Sequence, residues 1–119
     1  AGAEQVRREL RALLDRLRAD GARVAAYGAP AKATVLLNYC ALGPRDVAYV
    51  VDRNEAKQGQ LIPGADIPVV GPDALRDDPP THLLLLAWNL ADEIVREQGD
   101  FAAGGGRFIV PVPVPRLLD

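Results

Sequence analysis

Three short polar loops, each directly after an apolar segment, contain the residues of this chain that could hold a small molecule. They are residues 28–32 (Gly-Ala-Pro-Ala-Lys), 52–54 (Asp-Arg-Asn) and 88–89 (Trp-Asn). Backbone N–H groups at the start of a helix bind anions, a carboxylate accepts hydrogen bonds from two hydroxyls, and an indole ring stacks on a base. Together these residue types predict a site for an anionic, hydroxyl-rich ligand.

Helices are predicted between the loops. The first helix precedes the loops. Its apolar residues recur at helical spacing between Val6 and Leu17, and Gly21 stands where a helix C-cap residue belongs. A second helix is predicted over 31–42, with Pro30 in its first turn, where a missing N–H is harmless. A later helix is predicted from Leu90 onward, with Asn89 as its N-cap.

Strands are predicted to alternate with these helices, which favours a parallel sheet with right-handed crossovers. The fold class is therefore α/β, a Rossmann-like doubly wound domain over residues 1–119 with a five-stranded parallel sheet of order 3-2-1-4-5. Pro68 places the third strand at an edge, and prolines at 111, 113 and 115 end the last one. The strands are expected at residues 24–27, 47–51, 67–70, 82–87 and 107–112.

In this topology all three loops open at the carboxyl edge of the sheet. Open α/β sheets bind ligands in a crevice at that edge, where the strand order reverses. The crevice is expected between the loops after strands one and four. Residues 28–32 then lie opposite residues 88–89, and residues 52–54 flank them.

Each loop leaves alternatives open. Lys32 contacts a phosphate or carboxylate, or simply extends into solvent, and the loop lacks the later glycines of the dinucleotide fingerprint. Asp52 follows Gly28 at a spacing close to that of the acid that binds a ribose diol, or it caps its own turn. Arg53 and Lys57 contact phosphate or are exposed charges. Trp88 stacks on a ligand or closes the end of the core.

Composition restricts the class of protein. The chain has 119 residues, is 49% hydrophobic and has a formal net charge of −2, which argues against a nucleic-acid interface. We expect no membrane span and no signal peptide, hence a cytoplasmic protein. Cys40 is alone and set among apolar residues, so an inert thiol is expected. His82 is predicted at the amino end of its strand, away from the ligand edge. No catalytic constellation is evident.

Several short motifs, in this order, resemble those of one family. They are Tyr-Gly-Ala-Pro-Ala-Lys at 27–32, Leu-Leu-Asn-Tyr at 36–39, Val-Asp-Arg-Asn at 51–54, Lys-Gln-Gly at 57–59, Pro-Gly at 63–64, Ala-Trp-Asn-Leu at 87–90, Glu-Ile at 93–94 and Gly-Gly-Arg-Phe-Ile-Val-Pro at 105–111. They look like the C-terminal domain of sugar C-methyltransferases. The match covers nearly the whole chain after the first helix. One departure is Ala33, where many relatives have glycine.

The resemblance implies an S-adenosylmethionine-dependent transferase that methylates a carbon of a nucleotide-linked 4-keto-deoxysugar. The frequent use of Arg, Ala and Gly suggests a bacterial source. A base elsewhere in the enzyme would remove the proton beside the ketone. S-adenosylmethionine and zinc would belong to the absent N-terminal and catalytic domains, with no cofactor, metal or catalytic residue expected in this chain. Its role would be to bind the nucleotide-sugar substrate. The positions that match this role are Gly28, Ala29, Lys32, Asp52, Arg53, Asn54, Lys57, Trp88 and Asn89.

Two other classes of function stay open. The chain is alternatively a stand-alone nucleotide- or dinucleotide-binding module, which Asp52 favours and the missing glycines oppose. It is alternatively a structural domain that orients the catalytic domain or forms a homodimer. The sequence contains no Met, so either an initiator was removed or the chain is a piece of a longer protein.

Overall fold

The computed structural model describes residues 2–29 and 31–118 of the chain. The prediction that Pro30 lies in a first helical turn falls outside the described residues. In chain order the elements are α1 (Gly2–Ala19), β1 (Val24–Tyr27), α2 (Ala31–Tyr39), β2 (Val50–Val51), β3 (Val69–Val70), α3 (Ala74–Asp77), β4 (His82–Leu85), a 3-10 turn (Trp88–Leu90), α4 (Ala91–Glu97), α5 (Gly99–Ala103), β5 (Arg107–Val110) and β6 (Arg116–Leu117).

The described residues form one six-stranded sheet of order β3-β2-β1-β4-β5-β6. The α/β class and the order of the first five strands are confirmed, and those strands are all parallel. The prediction of a purely parallel five-stranded sheet is wrong, because β6 pairs antiparallel with β5. The prolines end β5, the chain then reverses, and its last residues cover backbone groups that an edge strand leaves unpaired.

The second and third strands are shorter than predicted. β2 contains only Val50–Val51, although the preceding segment still contacts β1 through Ala48 N to Val24 O at 2.8 Å and Ala26 N to Tyr49 O at 2.9 Å. β3 lies at an edge of the sheet, as Pro68 indicated, and contains only Val69–Val70. A residue without an N–H cannot donate to a ladder, so regular pairing begins after the proline.

Both long helices end in a left-handed residue. After α1, Gly21 has φ of +87°, with Ala22 N to Leu17 O at 2.9 Å and Gly21 N to Arg18 O at 3.0 Å. These are the two hydrogen bonds of the Schellman motif, so the C-cap prediction is confirmed. α2 ends at Tyr39 rather than at residue 42, because Ala41 adopts φ of +54° and turns the chain.

The predicted N-cap role of Asn89 is wrong. Asn89 lies inside the 3-10 turn, which Leu90 N closes by donating to Ala87 O at 2.9 Å. Helix α4 then begins at Ala91, with Leu90 in the N-cap position and no side-chain cap. The tighter turn takes up the residues between the end of β4 and the helix, so Asn89 lies one residue before the N-cap position of α4.

Two apolar clusters cover the two faces of the sheet. One joins α1 and α2 to Ala26 and Leu84, and it includes Ala33, which is fully buried. The other joins α3 and α4 to Ala25 and Leu85. Successive strand residues point to opposite faces, and both faces are covered, which explains why every residue of β1 and β4 is buried. Among the described helices, none combines the length and the apolar character needed to cross a bilayer.

Candidate functional site

A crevice lies at the carboxyl edge of the sheet, where the order of the strands reverses. Its volume is about 390 Å³. The ends of β1 and β2 form one side, through Tyr27, Gly28, Asp52 and Arg53, and α4 forms the other. This is the position at which open α/β sheets bind ligands, so the crevice is the candidate site.

The loop after β1 uses its first two amides within the chain. Gly28 has φ of +89°, which glycine adopts without strain, and its N–H donates to Val51 O at 2.7 Å. The N–H of Ala29 donates to Oδ2 of Asp52 at 3.1 Å. These two amides therefore already have partners and hold the loop against β2, rather than forming an open cradle for a phosphate.

Asp52 joins the first two loops. Its Oδ1 accepts a hydrogen bond from Asn54 N at 2.8 Å, which is the turn-capping contact, and its Oδ2 accepts from Ala29 N. The ammonium group of Lys57 lies 3.8 Å from Oδ2 and donates to Ala29 O at 2.7 Å. Only 14% of the Asp52 side chain is exposed. Its contact with a ribose diol stays a prediction.

An ion pair links the two sides of the crevice. Arg53 follows β2, Glu97 ends α4, and Nη2 of the arginine lies 3.5 Å from Oε1 of the glutamate. Both side chains are exposed, so the pair contributes little to stability and can open at small cost. Asn54 is also exposed, and its Oδ1 accepts from Ala56 N at 3.0 Å.

Lys32 and Trp88 lie together, but outside the crevice. Nζ of Lys32 is 4.9 Å from the centroid of the Trp88 ring, a cation–π contact. Both line an apolar groove of about 670 Å³ between α1, α2 and Val112–Pro113. The half-buried indole also packs against the core, so it both closes the core end and faces the groove. Asn89 beside it is exposed. The residues expected to form one site are thus divided. Gly28, Asp52 and Arg53 line the crevice, Lys32 and Trp88 line the groove, and Ala29 and Lys57 line a third cavity of about 250 Å³.

Tyr27 was not among the residues predicted from the sequence. It is the last residue of β1, it is 7% exposed and it lies in the wall of the crevice. Its hydroxyl is buried and has no hydrogen-bond partner among the described residues. A phenol at the end of an otherwise apolar strand, directly before a glycine, is the signal that could have identified it.

Two other reactive side chains lie away from the crevice. Cys40 is buried, and burial raises the pKa of its thiol, which favours the inert thiol expected from the sequence. His82 is at the amino end of β4, with Nδ1 2.8 Å from Thr81 Oγ1. Burial and then the charge of Arg107 lower the pKa of its imidazole. Within residues 2–29 and 31–118 no three His, Cys, Asp or Glu side chains lie close enough to hold a metal, so zinc does not fit these residues.

The sheet order and the crevice define an α/β domain with a mostly parallel sheet and a candidate ligand site at its switch point. Residues 1–113 match the family described as C-methyltransferase C-terminal domain, and the chain belongs to that family. The chain is also 44% identical over 115 residues to C-methyltransferase NovU from Streptomyces niveus. That alignment covers 97% of this chain and 27% of the relative, so the chain spans about a quarter of the relative's length. The family resemblance drawn from the motifs is confirmed.

Proposed function

We propose that this chain is the substrate-positioning domain of an S-adenosylmethionine-dependent C-methyltransferase that acts on a nucleotide-linked 4-keto-deoxysugar. The observation that carries the proposal is the crevice at the switch point, with Gly28, Asp52 and Arg53 at the ends of two neighbouring strands. Membership of the C-methyltransferase family supports the reaction class. The coverage of 27% of the relative supports a longer protein in which other parts perform the chemistry.

The contribution of this domain to the reaction is positioning. Bound S-adenosylmethionine supplies an electrophilic methyl group, and we propose that it binds in the catalytic domain, with zinc in the N-terminal domain. A carbon held in the correct orientation reacts far faster than one that must first collide, so the domain aids the reaction by binding and orienting the substrate.

Within this proposal Lys32 holds the diphosphate. Its side chain is exposed, and it lies in the first turn of α2, where the backbone N–H groups also favour an anion. Lys57 is a weaker candidate, because its ammonium group already donates to Ala29 O. The exposed Asn89 lies on the 3-10 turn beside Trp88, within reach of a ligand that bridges the groove and the crevice.

Calorimetric titration of the 119-residue chain with a thymidine-diphosphate hexose tests the proposal, with NAD and S-adenosylmethionine as control ligands. We expect the sugar nucleotide alone to bind, and Lys32→Ala to weaken it about tenfold, the loss of one charge-assisted contact. Arg8→Ala removes the same charge from an exposed site on α1 and should change nothing. Unchanged KM and turnover in the full enzyme after Lys32→Ala and Asn89→Ala would refute the proposal.

A second candidate function is an interaction domain, and the apolar groove favours it. The groove exposes Val35 and Tyr39 with 68% and 45% of their surfaces accessible. A face of this kind suits contact with the catalytic domain or with a second copy of the chain. Analytical ultracentrifugation of the chain and its Val35→Glu variant separates the two, since a homodimer that the variant dissociates would favour the second copy.

A further inference from the structure

We infer that the crevice binds an uncharged, hydroxyl-bearing sugar ring and that the hydroxyl of Tyr27 makes a hydrogen bond to that ring. This inference rests on the proposed function, because it assigns one part of the nucleotide-linked substrate to the crevice. The diphosphate then lies outside the crevice, toward Lys32.

The charges around the crevice disfavour a phosphate inside it. Asp52, Glu93 and Glu97 are its three carboxylates, and Arg53 is its single cation. The arginine already faces Glu97 at 3.5 Å, and Lys57 only partly offsets Asp52 from 3.8 Å. A diphosphate would therefore meet an excess of negative charge, whereas sugar hydroxyls donate hydrogen bonds to carboxylates without charge repulsion.

The unpaired hydroxyl of Tyr27 is independent of that charge pattern. Nearly all buried polar groups in folded proteins have a hydrogen-bond partner, and the hydroxyl of Tyr49 on the same face of the sheet follows the rule by donating to Asp78 O at 2.7 Å. The hydroxyl of Tyr27 has no such partner among the described residues, although more than nine-tenths of the residue is buried in the crevice wall. An oxygen of a ligand would supply the missing partner.

The size of the crevice also suits one ring. Its volume of about 390 Å³ lies at the lower end of the range for small-molecule sites. Such a space accommodates a single sugar ring with ordered water. The ribose and the hexose of the substrate are both uncharged rings with hydroxyl groups. Matched ligands distinguish which of the two binds in the crevice.

Titration calorimetry on the 119-residue chain tests the inference with two ligand pairs. Thymidine diphosphate is compared with thymidine-diphosphate-glucose to measure what the hexose adds. Uridine diphosphate is compared with 2′-deoxyuridine diphosphate to measure what the ribose diol adds. Each pair is measured with the wild-type chain, Tyr27→Phe and Tyr49→Phe. Tyr49 lines neither the crevice nor the groove, and its hydroxyl already donates to Asp78 O, so Tyr49→Phe is the control loss of a hydroxyl.

We expect one of the two sugars to raise the affinity, and Tyr27→Phe to reduce that gain about tenfold while Tyr49→Phe leaves it unchanged. The ligand pair for which Tyr27→Phe reduces the gain in affinity shows whether the ring in the crevice is the hexose or the ribose. Without ligand, Tyr27→Phe should keep or raise the Tm, because it removes a buried hydroxyl that has no partner.

Three results would overturn the inference. The first is a gain in affinity from a sugar that Tyr27→Phe does not reduce. The second is no gain in affinity from either sugar, and the third is a clear fall in the Tm of ligand-free Tyr27→Phe. In each case the proposed function stands. If thymidine-diphosphate-glucose and all three nucleoside diphosphates fail to bind the wild-type chain, the substrate role of this domain fails, and the inference fails with it.

Discussion

The ammonium group of Lys32 lies over the indole ring of Trp88, with Nζ 4.9 Å from the ring centroid. This contact joins the loop after β1 to the segment after β4 above the carboxyl edge of the sheet. It holds a cation at the start of α2, where the helix dipole alone would disfavour it, and keeps that cation in the lining of the groove.

The lysine should therefore matter for binding more than for stability. We expect Lys32→Ala to lower the free energy of unfolding by less than about 1 kcal/mol, the value of an exposed cation–π contact. Urea denaturation of Lys32→Ala and of the control Arg8→Ala provides the measurement. A loss several times larger would mean that the lysine is primarily a structural residue.

Asp52 should matter more for stability than for binding, because its side chain joins two loops. We expect Asp52→Ala to lower the free energy of unfolding by about 2 kcal/mol, since the amides of Ala29 and Asn54 lose their acceptor. Urea denaturation measures this loss. Glu55→Ala removes an exposed carboxylate three residues away and should have little effect. Equal stability of the two variants would contradict the structural role of Asp52.

Gly64 and Gly59 offer a matched test of packing between two of the family motifs. Both have positive φ, at +80° and +86° respectively. A Cβ on Gly64 would collide with the side chain of Asn38, whereas a Cβ on Gly59 would have no other part of the described structure within 4 Å beyond its chain neighbours. Asn38 itself donates to Pro63 O at 2.9 Å. We expect Gly59→Ala to cost about 1 kcal/mol from backbone strain, and Gly64→Ala about 3 kcal/mol from strain plus overpacking.

Thermal and urea unfolding of both variants measure the difference. Replacement of Asn38 by alanine in the Gly64→Ala background removes the colliding side chain and separates the two contributions. If Gly59→Ala and Gly64→Ala are equally destabilised, the contact with Asn38 does not constrain the turn.

Acid should weaken the attachment of α1 through Asp46. Burial acts to raise the pKa of this carboxyl, but the hydrogen bonds from Arg11 and Gly43 N–H outweigh it and hold the pKa below its usual 3.8. A depressed pKa stabilises the fold above the unfolded value, and that stability is lost as pH falls through the folded value. The loss attributable to Asp46 should therefore begin near pH 4 and increase below it.

The urea midpoint measured between pH 7 and pH 3 tests this linkage. Asp46→Asn should be less stable than the wild type at pH 7, and the difference should narrow as the pH falls below 4. Asp20→Asn changes an exposed carboxyl at the end of α1 and is the control. A difference that is constant across the range would show that the carboxylate charge of Asp46 is not the cause.

The parts of the fold that were predictable depend on local patterns. The apolar spacing of α1, the left-handed glycine at Gly21 and the apolar strands identify the elements, because side-chain period and backbone freedom are properties of short segments. The misplaced Asn89 shows the limit of this reasoning. Asparagine favours the N-cap locally, but the geometry between β4 and α4 imposed a 3-10 turn that contains it.

The sequence by itself determined the family, the α/β class, the order of the first five strands and the three polar loops at one edge of the sheet. Only the tertiary structure decided that Lys32 and Trp88 line a groove apart from Asp52, and that β6 covers the edge of β5. It also decided that the hydroxyl of Tyr27 has no hydrogen-bond partner within residues 2–29 and 31–118. The physical reason is that residue types and periodicity are local, whereas a cavity and a missing hydrogen-bond partner depend on how distant segments pack together.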